Sequence, residues 1–254
     1  MSLDAVVDIG NSRIKFCRCG AGGLNYPVRA VGIDAQIWDQ LATNWQFKPG
    51  CTWAVAATQK ARQEEFVAWA KQRGDRVLLF NTAADLPIEV DVDEPSRVGV
   101  DRLLNVLAAR SSVRKNQPAI VVDAGSAVTV DLLDEQGRFA GGTIFPGLRL
   151  MALALHEHTS ALPLIDASEV VGRGFPGKNT EEAMTLGIQC AIGGGIDMAI
   201  REIASRCSSA PKIFLTGGDM TPQFASLLQT RHQFQSELRS TLTLEGILAA
   251  AESK

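Results

Sequence analysis

Ala119-Ile-Val-Val-Asp-Ala-Gly-Ser-Ala-Val-Thr-Val-Asp-Leu-Leu-Asp134 runs from an apolar segment into Asp123, through a Gly-Ser turn, and out along a second apolar segment from Val128 to Leu133. That pattern predicts strand, tight turn, strand. Gly125 lets the backbone approach a ligand or take positive φ, and Asp123 and Ser126 set a metal-directed carboxylate and a hydroxyl at the tip, with room for a phosphate. Read alone, the same residues also fit an ordinary hairpin with a polar turn. The first strand repeats the arrangement, Ala5-Val-Val-Asp-Ile-Gly-Asn-Ser-Arg-Ile-Lys-Phe16 against Ile120-Val-Val-Asp-Ala-Gly-Ser-Ala-Val-Thr129. Two Asp-x-Gly loops facing each other across a cleft can hold the two ends of a nucleotide's phosphate chain. Neither loop is a P-loop or a dinucleotide fingerprint, because no Gly-x-x-x-x-Gly-Lys-Ser/Thr occurs, nor any Gly-x-Gly-x-x-Gly after a strand.

The rest of the composition narrows the class. With 254 residues, 46% hydrophobic, 21% charged and 23 glycines, the chain reads as an ordinary folded α/β protein of two halves. A formal net charge of −3 and the lack of any Lys/Arg run argue against a general nucleic-acid binder, which needs a basic field to displace counterions. No apolar stretch approaches the roughly 18 uncharged residues of a membrane span, and the N-terminus enters a strand by Ala5, so a cytoplasmic protein without membrane attachment is expected. Cys17, Cys19, Cys51, Cys190 and Cys207 are odd in number and scattered, which predicts free thiols. His156 and His158 diverge on a helical stretch and read as surface residues.

Along the chain, strands Ala5–Asp8, Ile14–Arg18 and Pro27–Val31 predict an antiparallel opening meander. Asp34 reads as the cap of a helix through Asn44, Trp53–Ala57 as a buried strand, and Ala61–Arg73 as a helix that faces Phe66, Trp69 and Ala70 inward and stops at Gly74. Arg76–Phe80 is a further strand. In the second half the 119–133 hairpin is followed by strand Gly142–Phe145, helix Leu148–His158, a long helix from Asn179 to about Ser205, strand Lys212–Thr216 and a closing helix Leu244–Ala251. Alternation of this kind predicts mixed sheets flanked by helices. The polar, basic segment Ser111–Pro118 marks the boundary, giving halves 1–114 and 115–254.

Four segments, Asp8-Ile-Gly-Asn-Ser-Arg-Ile-Lys15, Gly99-Val-Asp-Arg102, Asp123-Ala-Gly-Ser126 and Leu215-Thr-Gly-Gly-Asp219, stand in an order that strongly resembles the type III pantothenate kinases. These belong to the superfamily of acetate and sugar kinases, Hsp70 and actin. Gly141-Gly-Thr-Ile-Phe-Pro-Gly147 and Gly177-Lys-Asn-Thr-Glu-Glu-Ala-Met184 resemble that family's interface and substrate-contact segments, so the likeness covers nearly the whole chain. The resemblance implies two related actin-like ATPase (ribonuclease H-like) α/β halves. It also implies phosphorylation of pantothenate by ATP to 4′-phosphopantothenate, the first step of coenzyme A biosynthesis, in a homodimer whose substrate pocket lies at the interface.

By the same resemblance, ATP would be held by Asp8, Ile9, Gly10, Asn11, Ser12, Arg13, Ile14 and Lys15, by Ser126, and by Gly217 and Gly218 on the adenosine side. Asp8 would approach Mg²⁺ through water, since Mg²⁺ keeps part of its hydration shell. Asp123 would bind a monovalent cation, K⁺ or NH₄⁺. Ser126 stands where most relatives carry threonine and keeps the hydroxyl. Asp101 would accept the proton of the pantothenate hydroxyl, with Gly99, Val100, Arg102 and Thr180 completing the substrate site. Each motif also has a plainer reading. Lys15 fits a solvated edge strand, Asp101 and Arg102 fit the first turn of a helix to Arg110, and Asn179-Thr-Glu-Glu182 fits a capped helix start. Relatives place a tyrosine against pantothenate at the position aligned with Val92, whereas the one tyrosine here is Tyr26. Another small-molecule kinase of the superfamily, or a nucleotide-binding regulatory factor without catalysis, are the alternatives.

Overall fold

In a computed structural model of the chain, residues 3–10, 13–32, 34–168, 174–232 and 235–254 are described. The chain divides into two units, residues 1–112 with 241–254, and residues 113–240.

The first unit opens with β1 (Ala5–Ile9), β2 (Ile14–Gly20) and β3 (Gly23–Val31), followed by α1 (Ala35–Asn44), β4 (Thr52–Ala57), α2 (Lys60–Gln72), β5 (Arg76–Phe80) and α3 (Val100–Arg110). Its sheet has the order β3-β2-β1-β4-β5, antiparallel through the meander and parallel from β1 to β4 to β5. Local chemistry sets the ends of these elements. The Asp34 carboxylate accepts from Gln36 N at 2.8 Å and caps α1, while Gly74, at φ +78°, closes α2 in a conformation that glycine adopts without strain. Phe66, Trp69 and Ala70 all face inward from α2. Phe66 and Trp69 meet Phe16, Trp38 and Trp53 in edge-on and tilted ring contacts, with centroids 5.4–5.8 Å apart.

The second unit contains β6 (Ala119–Ala124), β7 (Ala127–Leu133), β8 (Phe139–Pro146), α4 (Leu148–His158), α5 (Thr180–Ala204), β9 (Lys212–Thr216), α6 (Pro222–His232) and β10 (Ser236–Leu238). Its sheet order is β10-β9-β6-β7-β8, again an antiparallel meander on one side of a central strand and two parallel strands on the other. The two sheets share one topology, so β1 and β6 are counterparts, as are β4 and β9. The 139–146 strand extends beyond the expected Gly142–Phe145, and α6 and β10 lie where no element was expected. The short three-residue β10 has too little periodicity to read.

The closing helix α7 (Leu242–Glu252) corrects the expected division, because it belongs to the first unit and not to the half in which the sequence places it. A Cβ at Gly246 would lie 2.1 Å from the Leu104 carbonyl, so α7 and α3 approach too closely for any side chain there. Beside that contact, Thr243 Oγ1 donates to Asn105 Oδ1 at 2.8 Å, both groups buried.

By length and composition α5 is apolar enough for a membrane span, but 56% of the relevant window is buried inside the protein, as in a core helix. Ile188, Ile192, Ile196 and Ile200 carry that buried face.

Candidate active site

Equivalent sheet positions carry the two acids. Asp8, next to last in β1, pairs with Lys15 of β2 on one side and Ala56 of β4 on the other. Asp123, next to last in β6, pairs with Thr129 of β7 and Thr216 of β9. Both carboxylates are half-buried and both have polar contacts. The C-terminal end of a sheet strand beside a parallel neighbour is where backbone amides and side chains of following loops become available to a ligand.

In the first unit, after β1, Gly10 N donates to the Arg13 carbonyl at 3.1 Å and Thr58 N donates to the Ile9 carbonyl at 3.1 Å. Ile9 and Ile14 are fully buried, which anchors both ends of the loop in the core, whereas Arg13 is exposed and Lys15 half-buried. Asn11 and Ser12 lie outside the described residues. Gly99 caps α3, and a Cβ there would come within 2.6 Å of Asp101 Oδ1. Glycine therefore leaves the space that the Asp101 carboxylate fills as it accepts from Arg102 N at 2.9 Å. Val100 is buried behind it, while Asp101 and Arg102 are half-buried.

The second unit converges more tightly. Gly125 N donates to the Ala127 carbonyl at 3.0 Å, Gly147 N to the Ser126 carbonyl at 3.1 Å, and Asp219 N to the Ala124 carbonyl at 2.9 Å. Cβ atoms at Gly147 and Gly217 would each stand 2.1 Å from a carbonyl of the Ala124–Gly125 turn, and Gly217 has φ +108°. Three backbone segments thus pack where no side chain fits, leaving Ser126 and Gly218 exposed at the rim. Next to Asp123, Thr129 Oγ1 donates to the fully buried Asp131 carboxylate at 2.9 Å. No role for Thr129 follows from the sequence, and Gly147 enters there only within the segment 141–147 that resembles the family's interface and substrate-contact segments. The alternating period of β7 places Thr129 on the same face as Asp131, and that was the available signal for it. Thr180 begins α5, exposed, directly after Asn179, whose side chain accepts from Glu182 N at 2.8 Å.

Among the described residues no group of three or more His, Cys, Asp or Glu could enclose a metal. Burial pushes the Cys17 thiol up and the Cys19 thiol up to about 12, which disfavours the thiolate. His156 and His158 are exposed, as expected. The side chain of Tyr26, 55% exposed on β3, bonds Thr241 Oγ1 at 3.3 Å, so the tyrosine does not stand at Val92.

The fold is similar to a putative 2-dehydro-3-deoxygalactonokinase from Sinorhizobium meliloti, with TM-score 0.65 and 15% identity over 98% of both chains. A ROK family protein from Streptococcus pneumoniae TIGR4 matches with TM-score 0.54 and 13% identity over 98% of both chains. Together with the paired sheets these likenesses identify the fold as the actin-like ATPase and sugar-kinase fold. In sequence, the chain is 33% identical over 223 residues to the type III pantothenate kinase of Verminephrobacter eiseniae, covering 84% of each. It is 32% identical over 269 residues to that of Leptothrix cholodnii, covering 98% of this chain and 96% of the relative. The sequence profile of the type III pantothenate kinases matches residues 5–202, and the chain belongs to this family of phosphotransferases.

Proposed function

We propose that this chain transfers the γ-phosphoryl group of ATP to the 4′-hydroxyl of pantothenate, yielding 4′-phosphopantothenate at the entry to coenzyme A synthesis. The observation that carries the reading is the repeated aspartate, Asp8 and Asp123, at the same position of the central strand in two sheets of one topology. Kinases of this kind position reactants and neutralise charge, so the protein needs donors for the phosphates and one carboxylate for the attacking hydroxyl.

In this scheme the loops Asp8–Lys15 and Asp123–Ser126 supply amides, hydroxyls and the Lys15 ammonium to the phosphate chain, and Gly217 and Gly218 give the adenosine room against backbone. Mg²⁺ takes one or two carboxylates and otherwise phosphate and water. The Asp8 carboxylate suits such an ion. Asp123 beside Thr129 and Thr216 offers the oxygen donors a monovalent cation prefers, and a bound cation there offsets phosphate charge. Asp101 accepts the hydroxyl proton as the oxygen–phosphorus bond forms and the bond to the β-phosphate breaks, releasing ADP. The Arg102 fork binds the carboxylate of the acceptor, with Thr180 as a further contact.

A homodimer is part of the same reading, and α5 supports it. Its outward stripe is Ala183, Gly187, Cys190, Gly194 and Met198, and neither Gly187 nor Gly194 has any atom within 4 Å of a built Cβ. Mid-helix glycine costs about 1 kcal/mol against alanine, and nothing in the protomer calls for it at these two positions. With Met198 66% and Ile144 63% exposed in the same unit, a second copy is the natural cover. Five free cysteines suit the reducing cytoplasm.

The test is ADP release with pantothenate, Mg²⁺ and K⁺, run beside a panel of other hydroxy acids and sugars. Turnover of another acceptor without pantothenate would transfer the assignment to a different small-molecule kinase, a reading that Val92 in place of a tyrosine favours. Asp101→Asn should lower kcat by about 10²-fold or more and leave ATP affinity near wild type.

A further inference from the structure

The loop after β1 is held from behind by a residue outside every motif considered so far. Arg62 Nη1 donates to the Gly10 carbonyl at 2.9 Å. The preceding carbonyl, of Ile9, accepts from Thr58 N at 3.1 Å and Thr58 Oγ1 at 3.4 Å. Two successive carbonyls, of Ile9 and Gly10, are therefore committed to the β4–α2 connection and to the first turn of α2. Carbonyl oxygens carry negative partial charge, and one turned towards a phosphate would repel it, so tying them back matters most in a loop that receives an anion.

The placement of Arg62 points the same way. It is the third residue of α2, a helix whose first turn holds no acid, holds Lys60 as a second cation, and has no side-chain cap bond from Gln59. Cations are disfavoured at the positive end of a helix, and acids are usual there. The Gly10 carbonyl supplies the acceptor that makes the site tolerable for a guanidinium, and a neighbouring polyanion would reverse the electrostatic preference altogether.

We propose that Arg62 is a positioning residue for the nucleotide: its guanidinium holds the Gly10 carbonyl back, so that this oxygen does not face the phosphate chain. This rests on the reading of Asp8–Lys15 as a phosphate loop. The experiment compares MgATP affinity by isothermal titration calorimetry and steady-state kinetics for wild type, Arg62→Ala, Arg62→Lys and Lys60→Ala. Arg62→Ala should weaken MgATP binding about tenfold, as expected for one charge-assisted hydrogen bond, with KM for pantothenate within about twofold of wild type. Arg62→Lys should recover part of the loss, and Lys60→Ala should bind as wild type does. Unchanged affinity in Arg62→Ala overturns the proposal, as does an equal loss in Lys60→Ala, which would make the general field responsible. Should Arg62→Ala fail to fold, Arg62→Lys and Arg62→Gln carry the same comparison, and wild-type affinity in both overturns it. A wild type that binds MgATP without using pantothenate retires the acceptor and leaves the Arg62 comparison standing on the binding data. A wild type that binds no MgATP removes both.

Discussion

Asp75 takes no part in the proposed chemistry, yet its carboxylate ties the start of β4 to the end of α2. Its Oδ1 accepts from Gly50 N at 2.8 Å and Cys51 N at 3.1 Å, and its Oδ2 from Trp53 Nε1 at 2.9 Å and Arg73 Nε at 3.0 Å. The side chain is fully enclosed, and Arg73 stacks 5.2 Å from the Trp69 ring centre. Removing one partner of a buried ion pair strands the other charge and its donors, at about 3–5 kcal/mol. Asp75→Ala should lower the unfolding free energy by that amount, measured by urea titration of tryptophan emission, and a loss below about 1 kcal/mol would be the range of an exposed pair. No spacing rule singles out Asp75, because three of its four donors, at residues 50, 51 and 53, lie 22 to 25 positions away in the chain. The caps Asp34 and Asn179, whose partners are two and three residues away, are legible without a fold.

At the level of elements, α5 holds both the best-read and the least-read information. Its start at Asn179 and its end near Ser205 follow from local signals, and the isoleucines at 188, 192, 196 and 200 name the buried face. The outward glycines had no such reading, since no rule confined to one helix calls for glycine at these positions. If α5 packs against its counterpart, Gly194→Leu should convert a dimer to a monomer in sedimentation equilibrium while the far-ultraviolet spectrum stays unchanged. If the helix instead faces water, Gly194→Leu leaves the sedimentation unchanged and raises the melting temperature, because leucine favours helix over glycine by up to about 1 kcal/mol. The loops between elements behave differently. Gly147 and Gly217 are required by backbone from distant segments, and only the packed turn at Ala124–Ser126 shows why no side chain is tolerated.

For the whole molecule, the placement of α7 makes a prediction that sequence order alone would reverse. All four tryptophans, at 38, 45, 53 and 69, lie in the first unit, so their emission reports on that unit and not on residues 113–240. A chain ending at Ser240 loses a helix that packs on α3 through Gly246 and Thr243. Its tryptophan emission should shift to the red and its urea midpoint fall, although the cut lies in the half of the sequence without tryptophan. Unchanged emission would mean that α7 contributes nothing to the first core.

What the sequence determined unaided was the repeat: two Asp-x-Gly turns after apolar strands, the meanders that follow them and the caps that start the helices. All of these depend on residues within a few positions of one another, where periodicity and local hydrogen bonding suffice. Tertiary structure alone decided that α7 returns to the first unit, that glycines 147 and 217 meet one turn, and that Arg62 reaches Gly10 across 52 residues of chain. Those contacts follow from burial and close backbone approach between distant segments, and no local pattern encodes which partner a surface will meet.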